Sequence, residues 1–280
     1  MKTVLEVLKG TADYFTKHGV ESARLNAELL LAHVLGKKRI DLYMEFDRPL
    51  GEKELGPMRE LLRKRASGYP LQYLLGTTEF YGREFKVDER ALIPRPETER
   101  FLEILLADKA TLEKERILDV GTGTGIIALT LAAELPEAEV HAVDISPDAL
   151  TLAAENASRL GLTERVNFFQ SDLLENAKGP YGAIIANLPY VPLDDESTLQ
   201  RELKHEPRAA LFSGPDGTDA MIRLINQAKA HLKHGGLLAL EIGQGQDEKL
   251  VAHFQQASYH PVRVEPDYNG INRFLFATYG

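Results

Sequence analysis

One glycine-rich turn limits the folds open to this 280-residue chain more than any other stretch. The apolar run 116–120 has the composition of a buried strand, Gly121-Thr-Gly-Thr-Gly125 follows it directly, and an apolar helix is predicted over 126–135. Glycine allows the backbone to turn sharply from a strand into a helix and to come close to a ligand. We therefore predict the first strand–turn–helix unit of a parallel sheet, with a binding loop at the carboxyl end of the strand.

Strand and helix patterns alternate along the rest of the chain. The further predicted strands are 139–144, 165–170, 181–186, 236–242, 261–266 and 272–279, and the further predicted helices are 147–160, 218–232 and 247–257. This alternation is typical of a parallel sheet with helices on both faces. No helix separates the last two strands, so they should form an antiparallel edge. Counting from the strand at 116–120, we expect the strand order 3-2-1-4.

Residues 1–70 are predicted to form a small all-α bundle, because their apolar residues recur at helical spacing. The predicted helices are 3–18, 22–35, 39–46 and 51–67. Ser22 is the predicted N-cap of the second helix, and Gly36 is its predicted end. The helical pattern contains no polar cluster that suggests chemistry, so its apolar residues are interpreted as a core.

Residues 71–95 are predicted to be a β-hairpin linker. The runs 69–76 and 78–87 alternate and are rich in aromatic residues, and Gly82 stands at a turn position. The α/β domain then occupies 96–280. It should begin with a helix at Pro96, a residue that suits the first helical turn.

Composition narrows the class of protein. The chain has no Cys, which excludes disulfides, thiolate metal ligands and thiol catalysis. Its net charge of −9 argues against a broad surface for nucleic acid phosphates. The first residues lack the pattern of a signal peptide, and no apolar run is long enough to span a bilayer. We therefore expect a soluble, cytoplasmic protein with no membrane partner.

Acidic residues follow the next two strands and suggest what the glycine loop binds. Asp144 ends the second strand, where an acid receives ribose hydroxyls, and Asp172 follows the third, where a base would lie. The pattern fits a dinucleotide or S-adenosylmethionine, and the Gly-x-Gly-x-Gly spacing after Asp119 favours S-adenosylmethionine. No Lys follows the glycines, which excludes a nucleoside triphosphate loop. The alternative role for Asp144 is a helix N-cap before Pro147.

Asn187-Leu-Pro-Tyr190 follows the fourth predicted strand and is the candidate acceptor site. In the expected strand order it lies beside the glycine loop, in the crevice where open sheets bind ligands. A planar nitrogen is a poor nucleophile because its lone pair is delocalised, so it needs acceptors for its N–H groups and a wall that fixes its plane. The Asn187 side-chain oxygen and the Leu188 carbonyl suit the first need, and the Tyr190 ring suits the second. The alternative is that Asn187 caps a turn and Tyr190 belongs to the core.

The tetrapeptide at 187–190 is one of several stretches that carry a family resemblance. The others are 24–36, 68–76, 79–82, 92–99, 118–125, 206–211 and 267–273. The most specific of them contains Pro94-Arg-Pro-Glu-Thr-Glu99. On these stretches, which span nearly the whole chain, the sequence resembles the release factor glutamine methyltransferases (the HemK/PrmC family).

That resemblance implies a fold and a reaction. The fold would be a seven-stranded, Rossmann-like, class I S-adenosylmethionine-dependent methyltransferase domain, preceded by a helical domain that contacts the substrate protein and by a β-hairpin. The reaction would move a methyl group from S-adenosylmethionine, leaving S-adenosylhomocysteine, to N5 of the glutamine in the Gly-Gly-Gln motif of class I peptide chain release factors. We expect a monomer with no stable nucleic acid binding.

By motif match, the resemblance also implies site residues. The implied cofactor-binding residues are Gly121, Thr122, Gly123, Thr124, Gly125, Asp144, Asp172, Leu173 and Asn187. The implied catalytic residues are Asn187, Leu188, Pro189 and Tyr190, and no metal ligand is implied. The chain departs from the family at Leu188, where the usual residue is Pro. Leu adopts the extended conformation that Pro189 demands of its predecessor, and its carbonyl remains an acceptor.

Alternative functions come from the same motifs. Asn-Leu-Pro-Tyr is also the form found in ribosomal RNA adenine methyltransferases, although the acidic charge and the 94–99 run argue against that class. A ribosomal protein glutamine methyltransferase is the nearest enzymatic alternative. A binding module that has lost turnover is the non-enzymatic one, and the intact glycine loop argues against it.

Several other polar residues have two interpretations. Glu241 ends a strand and either reaches the site or anchors a helix cap or loop. Glu97 and Glu99 are interpreted as the acidic start of a helix, and the alternative is that they are catalytic acids. The pair His231 and His234 is interpreted as a solvated helix end rather than a metal site. The basic runs 37–39 and 63–65 are interpreted as solvated helix surface, and the alternative is contact with a partner or with ribosomal RNA.

Overall fold

The computed structural model describes residues 2–107 and 109–280, which form two compact units. The helical unit runs up to Thr77 and also includes Gln200–His205. The sheet unit consists of Thr78–Leu199 and Glu206–Gly280. The helical unit is thus built from two stretches that are far apart in the sequence.

Amphipathic helices build the helical unit, as their apolar spacing predicts. They are α1 (Val4–Lys17), α2 (Ala23–Leu35), α3 (Arg39–Met44), α4 (Glu52–Ala66) and α5 (Leu71–Leu75). The prediction that the Ser22 side chain caps α2 is wrong: its φ is 47°, whereas side-chain caps have extended backbone, and its hydroxyl makes no capping hydrogen bond. Gly36 ends α2 in the left-handed conformation, as predicted.

The helical unit buries one basic residue that the sequence assigns to solvated surface. Arg65 is only 6% exposed. Its Nε donates to Asn26 Oδ1 at 2.7 Å, and its Nη1 pairs with Glu202 Oε1 at 2.9 Å. The segment Gln200–His205 is therefore held to α4 by an ion pair. A local pattern does not predict this pair because its partners are 137 positions apart.

The hairpin is shorter than predicted. Its strands are β1 (Thr77–Phe80) and β2 (Arg83–Lys86), and Gly82 lies at the turn with a φ of 70°. The run 69–76 is not a strand, and its residues 71–75 form the helix α5. Tyr73 and Leu74 are adjacent and both buried, which a helix allows and an alternating strand does not. Gly76 ends α5 with a φ of 74°.

The sheet unit contains a seven-stranded sheet flanked by helices. Its strands are β3 (Arg116–Val120), β4 (Glu139–Asp144), β5 (Val166–Gln170), β6 (Tyr181–Asn187), β7 (Leu232–Glu241), β8 (Tyr259–Pro266) and β9 (Asn272–Tyr279). Its helices are α6 (Pro96–Leu106), α7 (Lys109–Leu112), α8 (Ile126–Glu134), α9 (Pro147–Arg159), α10 (Asp219–Ala228) and α11 (Asp247–Gln256). Pro96 is the first residue of α6, as predicted.

The strand order is β5-β4-β3-β6-β7-β9-β8. The predicted order 3-2-1-4 is therefore confirmed, and so is the fold class. β3 pairs in parallel with both β4 and β6, while β9 pairs antiparallel with β7 and β8. Because β3, β4 and β6 run in parallel, their carboxyl ends meet at one edge of the sheet. The residues that follow these three strands are thereby brought together.

The predicted helix over 218–232 is too long. α10 ends at Ala228, and the backbone N–H of Tyr181 donates to the His231 carbonyl at 2.7 Å, so residue 231 already pairs with β6. His231 and His234 therefore do not lie on a helix end. Across the described ranges, no group of three or more His, Asp or Glu side chains is arranged to hold a metal ion.

The long segment predicted over 191–217 is not wholly irregular. It contains the short 3-10 helices Leu193–Thr198, Leu203–His205 and Arg208–Ala210. A bridge between Val191 and Phe212 closes the segment at its base. Among the helices in the described part of the chain, none combines the length and the apolar character needed to cross a membrane.

Candidate active site

A cavity of about 410 Å³ opens in the sheet unit where β3, β4 and β6 end. Most of the predicted site residues line it: Gly121, Thr122, Gly123, Thr124, Asp144, Asp172, Leu173, Asn187, Leu188 and Pro189. Gly125 and Tyr190 are not among the lining residues. The structure therefore places the predicted donor loop and the predicted acceptor tetrapeptide on the walls of one cavity.

The glycine loop is tied to the end of β4 through its backbone. The N–H groups of Gly121 and Thr122 both donate to the Val143 carbonyl at 2.9 Å. Gly121 has a φ of 74°, and a Cβ placed on it would lie 2.9 Å from Leu188 Cδ2. Glycine is therefore required here both by backbone conformation and by the close approach of the acceptor tetrapeptide.

Asp119, the last residue but one of β3, holds the loop from inside the sheet. Its side chain is fully buried, and its Oδ2 accepts hydrogen bonds from Thr122 Oγ1 at 2.6 Å and from the Ala128 N–H at 3.2 Å. Burial raises the pKa of this carboxyl to about 7. Its Oδ1 is buried without a hydrogen-bond partner. This oxygen is enclosed within the sheet unit, and Asp119 is not among the residues that line the cavity.

Asp144 ends β4 and accepts two backbone hydrogen bonds. Its Oδ2 accepts from Gly123 N–H and its Oδ1 from Ser146 N–H, both at 2.9 Å. Burial raises the pKa of this carboxyl. The alternative that Asp144 is the N-cap of α9 is wrong, because Ser146 Oγ accepts the capping hydrogen bond from Ala149 N–H at 3.2 Å. Asp144 instead connects the glycine loop to the start of α9.

Two of the predicted site residues, Asp172 and Leu173, follow β5, and one is in an ion pair while the other is buried. Asp172 follows β5 and forms an ion pair with Arg223, with 2.9 Å between Oδ2 and Nη2. Leu173 is 8% exposed and has a φ of 49°, a conformation that is uncommon for a residue with a Cβ. Ile145, which follows β4 and also lines the cavity, is apolar and 58% exposed. Sequence reasoning missed Ile145 because a single Ile next to a strand carries no distinctive signal.

Asn187 is the last residue of β6 and lies opposite Glu241 of β7 in the sheet register. Its Nδ2 donates to Thr98 Oγ1 at 3.1 Å, and Thr98 Oγ1 donates to Glu241 Oε2 at 2.8 Å. Thr98 and Glu241 are 0% and 2% exposed. Burial raises the pKa of Glu241 to about 7. Glu241 therefore reaches the site through Thr98 and Asn187 rather than as a helix cap.

The remaining residues of the tetrapeptide are held by packing and by the backbone. Leu188 is 4% exposed and packs in the apolar cluster on one face of the sheet. Tyr190 packs against the same cluster, and its burial raises the pKa of the phenol to about 12. The Tyr190 carbonyl accepts from Gln246 Nε2 at 2.9 Å. The role of the Tyr190 ring as a wall for the acceptor stays a prediction.

A buried carboxylate joins two of the stretches that carry the family resemblance. Glu206 is 7% exposed, and its Oε2 accepts from the Ile93 N–H at 2.9 Å. Its Oε1 forms an ion pair with Arg95. Ile93, Arg95 and the neighbouring Pro207 line the cavity. Both stretches are visible in the sequence, but their contact is not, because its partners are 113 positions apart.

Two family models match the chain. The model described as "PrmC N-terminal domain" matches residues 6–76, and the model described as "Methyltransferase small domain" matches residues 98–216. The first match lies in the α-helical part of the chain. The second contains the glycine loop and the acceptor tetrapeptide.

Similar proteins cover almost the full chain. A release factor glutamine methyltransferase of Chlorobaculum tepidum is 42% identical over an alignment of 285 positions, which covers 98% of this chain and 96% of the relative. That of Deinococcus radiodurans is 42% identical over 267 residues, 94% of this chain and 93% of the relative. That of Moorella thermoacetica is 45% identical over 262 residues, 92% of each.

Solved structures share the fold at low identity. A methyltransferase of Pyrococcus furiosus has a TM-score of 0.54 at 15% identity, over 82% of this chain and all of that one. A 16S rRNA methyltransferase of T. thermophilus, in complex with AdoMet and guanosine, has a TM-score of 0.53 at 18% identity, over 73% of this chain and 50% of that one. At these identities the likeness concerns the fold alone.

Proposed function

The chain belongs to the release factor glutamine methyltransferase family, and on that premise we propose that it methylates N5 of the glutamine in the Gly-Gly-Gln motif of class I peptide chain release factors. The methyl donor is S-adenosylmethionine, as in the methyltransferase family that matches the chain. One observation carries the proposal: Asn187 and the glycine loop line the same cavity.

The residues around the glycine loop suit S-adenosylmethionine. When bound, the donor supplies a methyl group made electrophilic by its sulfonium charge. Gly121, Thr122, Gly123 and Thr124 would form the cradle for its methionine end, and Gly125 would complete the loop as the N-cap of α8. Asp144 would accept the ribose hydroxyls, Asp172 and Leu173 would border the adenine, and Ile145 would add an exposed apolar side chain to the same cavity.

The acceptor tetrapeptide suits a planar amide. Asn187 Oδ1 and the Leu188 carbonyl would accept the two N–H groups of the glutamine side chain, and Tyr190 would limit the tilt of the amide plane. Both N–H groups are then held while the nitrogen faces the methyl group. The donor would supply the methyl group, so that an N–C bond would form as the S–C bond breaks and one amide proton would pass to solvent, while Asn187 Oδ1 and the Leu188 carbonyl would hold the amide in place. Hydrogen bonds from the amide N–H groups to these acceptors become stronger as positive charge develops on the nitrogen, which lowers the barrier to methyl transfer. No strong general base is therefore needed.

The oligomeric state, the location and the partners of the protein are further parts of its function. We propose a monomer that acts in the cytoplasm, on a protein partner and without stable nucleic acid binding. The net charge of −9 supports the last point, because a nucleic acid surface needs clustered basic side chains.

Methyl-labelled S-adenosylmethionine tests the proposed function. The acceptors are a class I release factor, its Gly-Gly-Gln→Gly-Gly-Ala variant, a ribosomal protein mixture and ribosomal RNA. We expect label in the release factor and none in the variant. Label in RNA or ribosomal protein, or label that survives the Gln→Ala change, would replace the proposed acceptor with another.

A further inference from the structure

Three polar side chains from different elements form a hydrogen-bonded chain beneath the acceptor site. Asn187 lies at the end of β6, Thr98 lies in the first turn of α6, and Glu241 ends β7. The distances are 3.1 Å from Asn187 Nδ2 to Thr98 Oγ1 and 2.8 Å from Thr98 Oγ1 to Glu241 Oε2. Asn187 also lies opposite Glu241 in the register of β6 and β7.

The direction of this chain follows from the chemistry of its last member. An ionised carboxylate can only accept hydrogen bonds, so the Thr98 hydroxyl must donate to Glu241. Its oxygen then has lone pairs for the N–H of Asn187. The Asn187 amino group is thereby held by Thr98, whose hydroxyl is oriented by Glu241, and Oδ1 is left available to a substrate in the cavity.

We propose that Thr98 and Glu241 are positioning residues that fix the orientation of the Asn187 amide, so that Oδ1 rather than Nδ2 meets the N–H of the acceptor nitrogen; this inference rests on the proposed function. The two orientations of an Asn amide have almost the same shape, and packing alone does not choose between them. Only a neighbour with a defined donor or acceptor character does so.

The burial of Glu241 supports a role beyond packing. The salt bridges found among the described residues do not include Glu241, and its side chain is 2% exposed. A buried carboxylate without an ion pair lowers stability, so a neutral residue of the same size would suit the core better. Such a group next to a cavity is typical of functional sites.

The same geometry makes the acceptor site sensitive to pH. Burial is the largest cause that raises the pKa of Glu241; the charge of Glu97 in α6 raises it further, and the charge of Arg273 in β9 lowers it. The charge of Glu241 in turn raises the pKa of the Tyr190 phenol. Burial dominates and brings the pKa to about 7. A neutral Glu241 can donate to Thr98, and Thr98 can then donate to Asn187 Oδ1. The amide turns over, presents Nδ2 to the cavity, and no longer accepts the N–H of the substrate.

The experiment compares variants of the full chain with the release factor as acceptor. Thr98→Val removes the hydroxyl, Thr98→Ser retains it, and Glu241→Gln removes the ionisation. Thr130→Val is the matched control, because Thr130 is also 0% exposed but its hydroxyl is buried without a partner. The measurements are kcat and KM between pH 6 and pH 9, S-adenosylhomocysteine affinity by calorimetry, and thermal unfolding.

We expect Thr98→Val to lower kcat by about ten- to a hundredfold, the loss that follows from a misplaced reacting group. The affinity for S-adenosylhomocysteine should change less than about twofold, and Thr98→Ser should recover most of the lost kcat. In Glu241→Gln the fall of kcat below pH 7 should disappear, with a low value at every pH. Asp119 keeps its own titration in all variants, so it does not account for that change.

Several outcomes separate this inference from the proposed function. If wild-type chain does not methylate the release factor, the proposed function is wrong. If wild-type methylates it and Thr98→Val keeps the same kcat, or falls no further than Thr130→Val, the positioning role is wrong. An acid limb that persists unchanged in Glu241→Gln would overturn the role of Glu241. Should Thr98→Val fail to fold, Thr98→Ser and Glu241→Gln still decide the question through the pH profile.

Discussion

The two halves of the cavity are built in different ways. The donor half consists of the glycine loop after β3 and the end of β4, and its hydrogen bonds come mainly from backbone N–H groups. The acceptor half depends on side chains that three elements bring together, and its key contacts join residues 89 and 143 positions apart. Under the proposed function, the backbone of the donor half would bind one invariant ligand, S-adenosylmethionine. Under the proposed function, the hydrogen-bonded chain of Asn187, Thr98 and Glu241 would select one acceptor geometry, which a change of pH or a mutation would alter.

The largest expected effect is in the acceptor half. Asn187→Ala removes the acceptor for one N–H of the substrate amide, so kcat should fall on the order of a hundred- to a thousandfold, the effect of deleting one group that stabilises developing charge. Donor affinity, measured by calorimetry with S-adenosylhomocysteine, should stay within about twofold. Turnover that survives this change would show that Asn187 does not hold the acceptor.

In the donor half, Gly121→Ala should mainly weaken donor binding, by about tenfold or more. The added Cβ needs a left-handed conformation that costs ~1–2 kcal/mol, and it would lie 2.9 Å from Leu188 Cδ2. Gly161→Ala is the control, because Gly161 has a φ of 70° and no atom within 4 Å of its added Cβ. Equal loss of donor affinity in both variants would mean that close approach to Leu188 is not what the site requires.

Asp144→Asn should have a smaller effect of the same kind. Both carboxylate oxygens accept backbone N–H groups, so an amide places its NH₂ against one of these donors. Donor affinity should fall about tenfold, while kcat at saturating donor should change less than about threefold. Asp148→Asn, at an exposed position of α9, controls for the loss of one negative charge. A large fall in kcat with unchanged donor affinity would move Asp144 to the acceptor half.

The smallest expected effect is on stability and concerns the charge that the acceptor half buries. The pKa of Glu241 rises from 4.5 to about 7 on folding, so the folded chain keeps a proton that the unfolded chain has lost between these values. Stability contributed by this group is therefore lost as pH rises through that window. The side chain of Glu241→Gln does not titrate in that window. The free energy of unfolding of this variant, relative to that of the wild type, should therefore rise by on the order of 1 kcal/mol from pH 5 to pH 8.

Urea unfolding at the two pH values measures this difference, and the other titrating groups cancel because both proteins share them. A gain that is the same at pH 5 and pH 8 would show that the Glu241 carboxyl is not held at a raised pKa. Together with the kcat of the same variant, the result shows whether the acceptor half gives up stability for activity.

Some predictions failed where a local pattern was ambiguous. The run 69–76 alternates like a strand but forms a helix, because Tyr73 and Leu74 both find space in the core and Gly76 supplies a left-handed end. The helix predicted to reach 232 stops at Ala228, because the backbone near His231 pairs with Tyr181 instead. Arg65 was assigned to the surface because its ion-pair partner lies far along the chain.

The sequence by itself determined the parts that depend on neighbouring residues. The glycine loop, the alternation of strands and helices, the antiparallel edge and the tetrapeptide after β6 all follow from local composition and periodicity, and they were sufficient to predict the fold and the two halves of the site. Only the tertiary structure decided that Thr98 and Glu241 lie beneath Asn187, that Leu188 packs against Gly121 and that Glu206 joins Arg95. Contacts of this kind arise when sheet register and helix packing bring distant side chains together, and no pattern of adjacent residues encodes which partner each will meet.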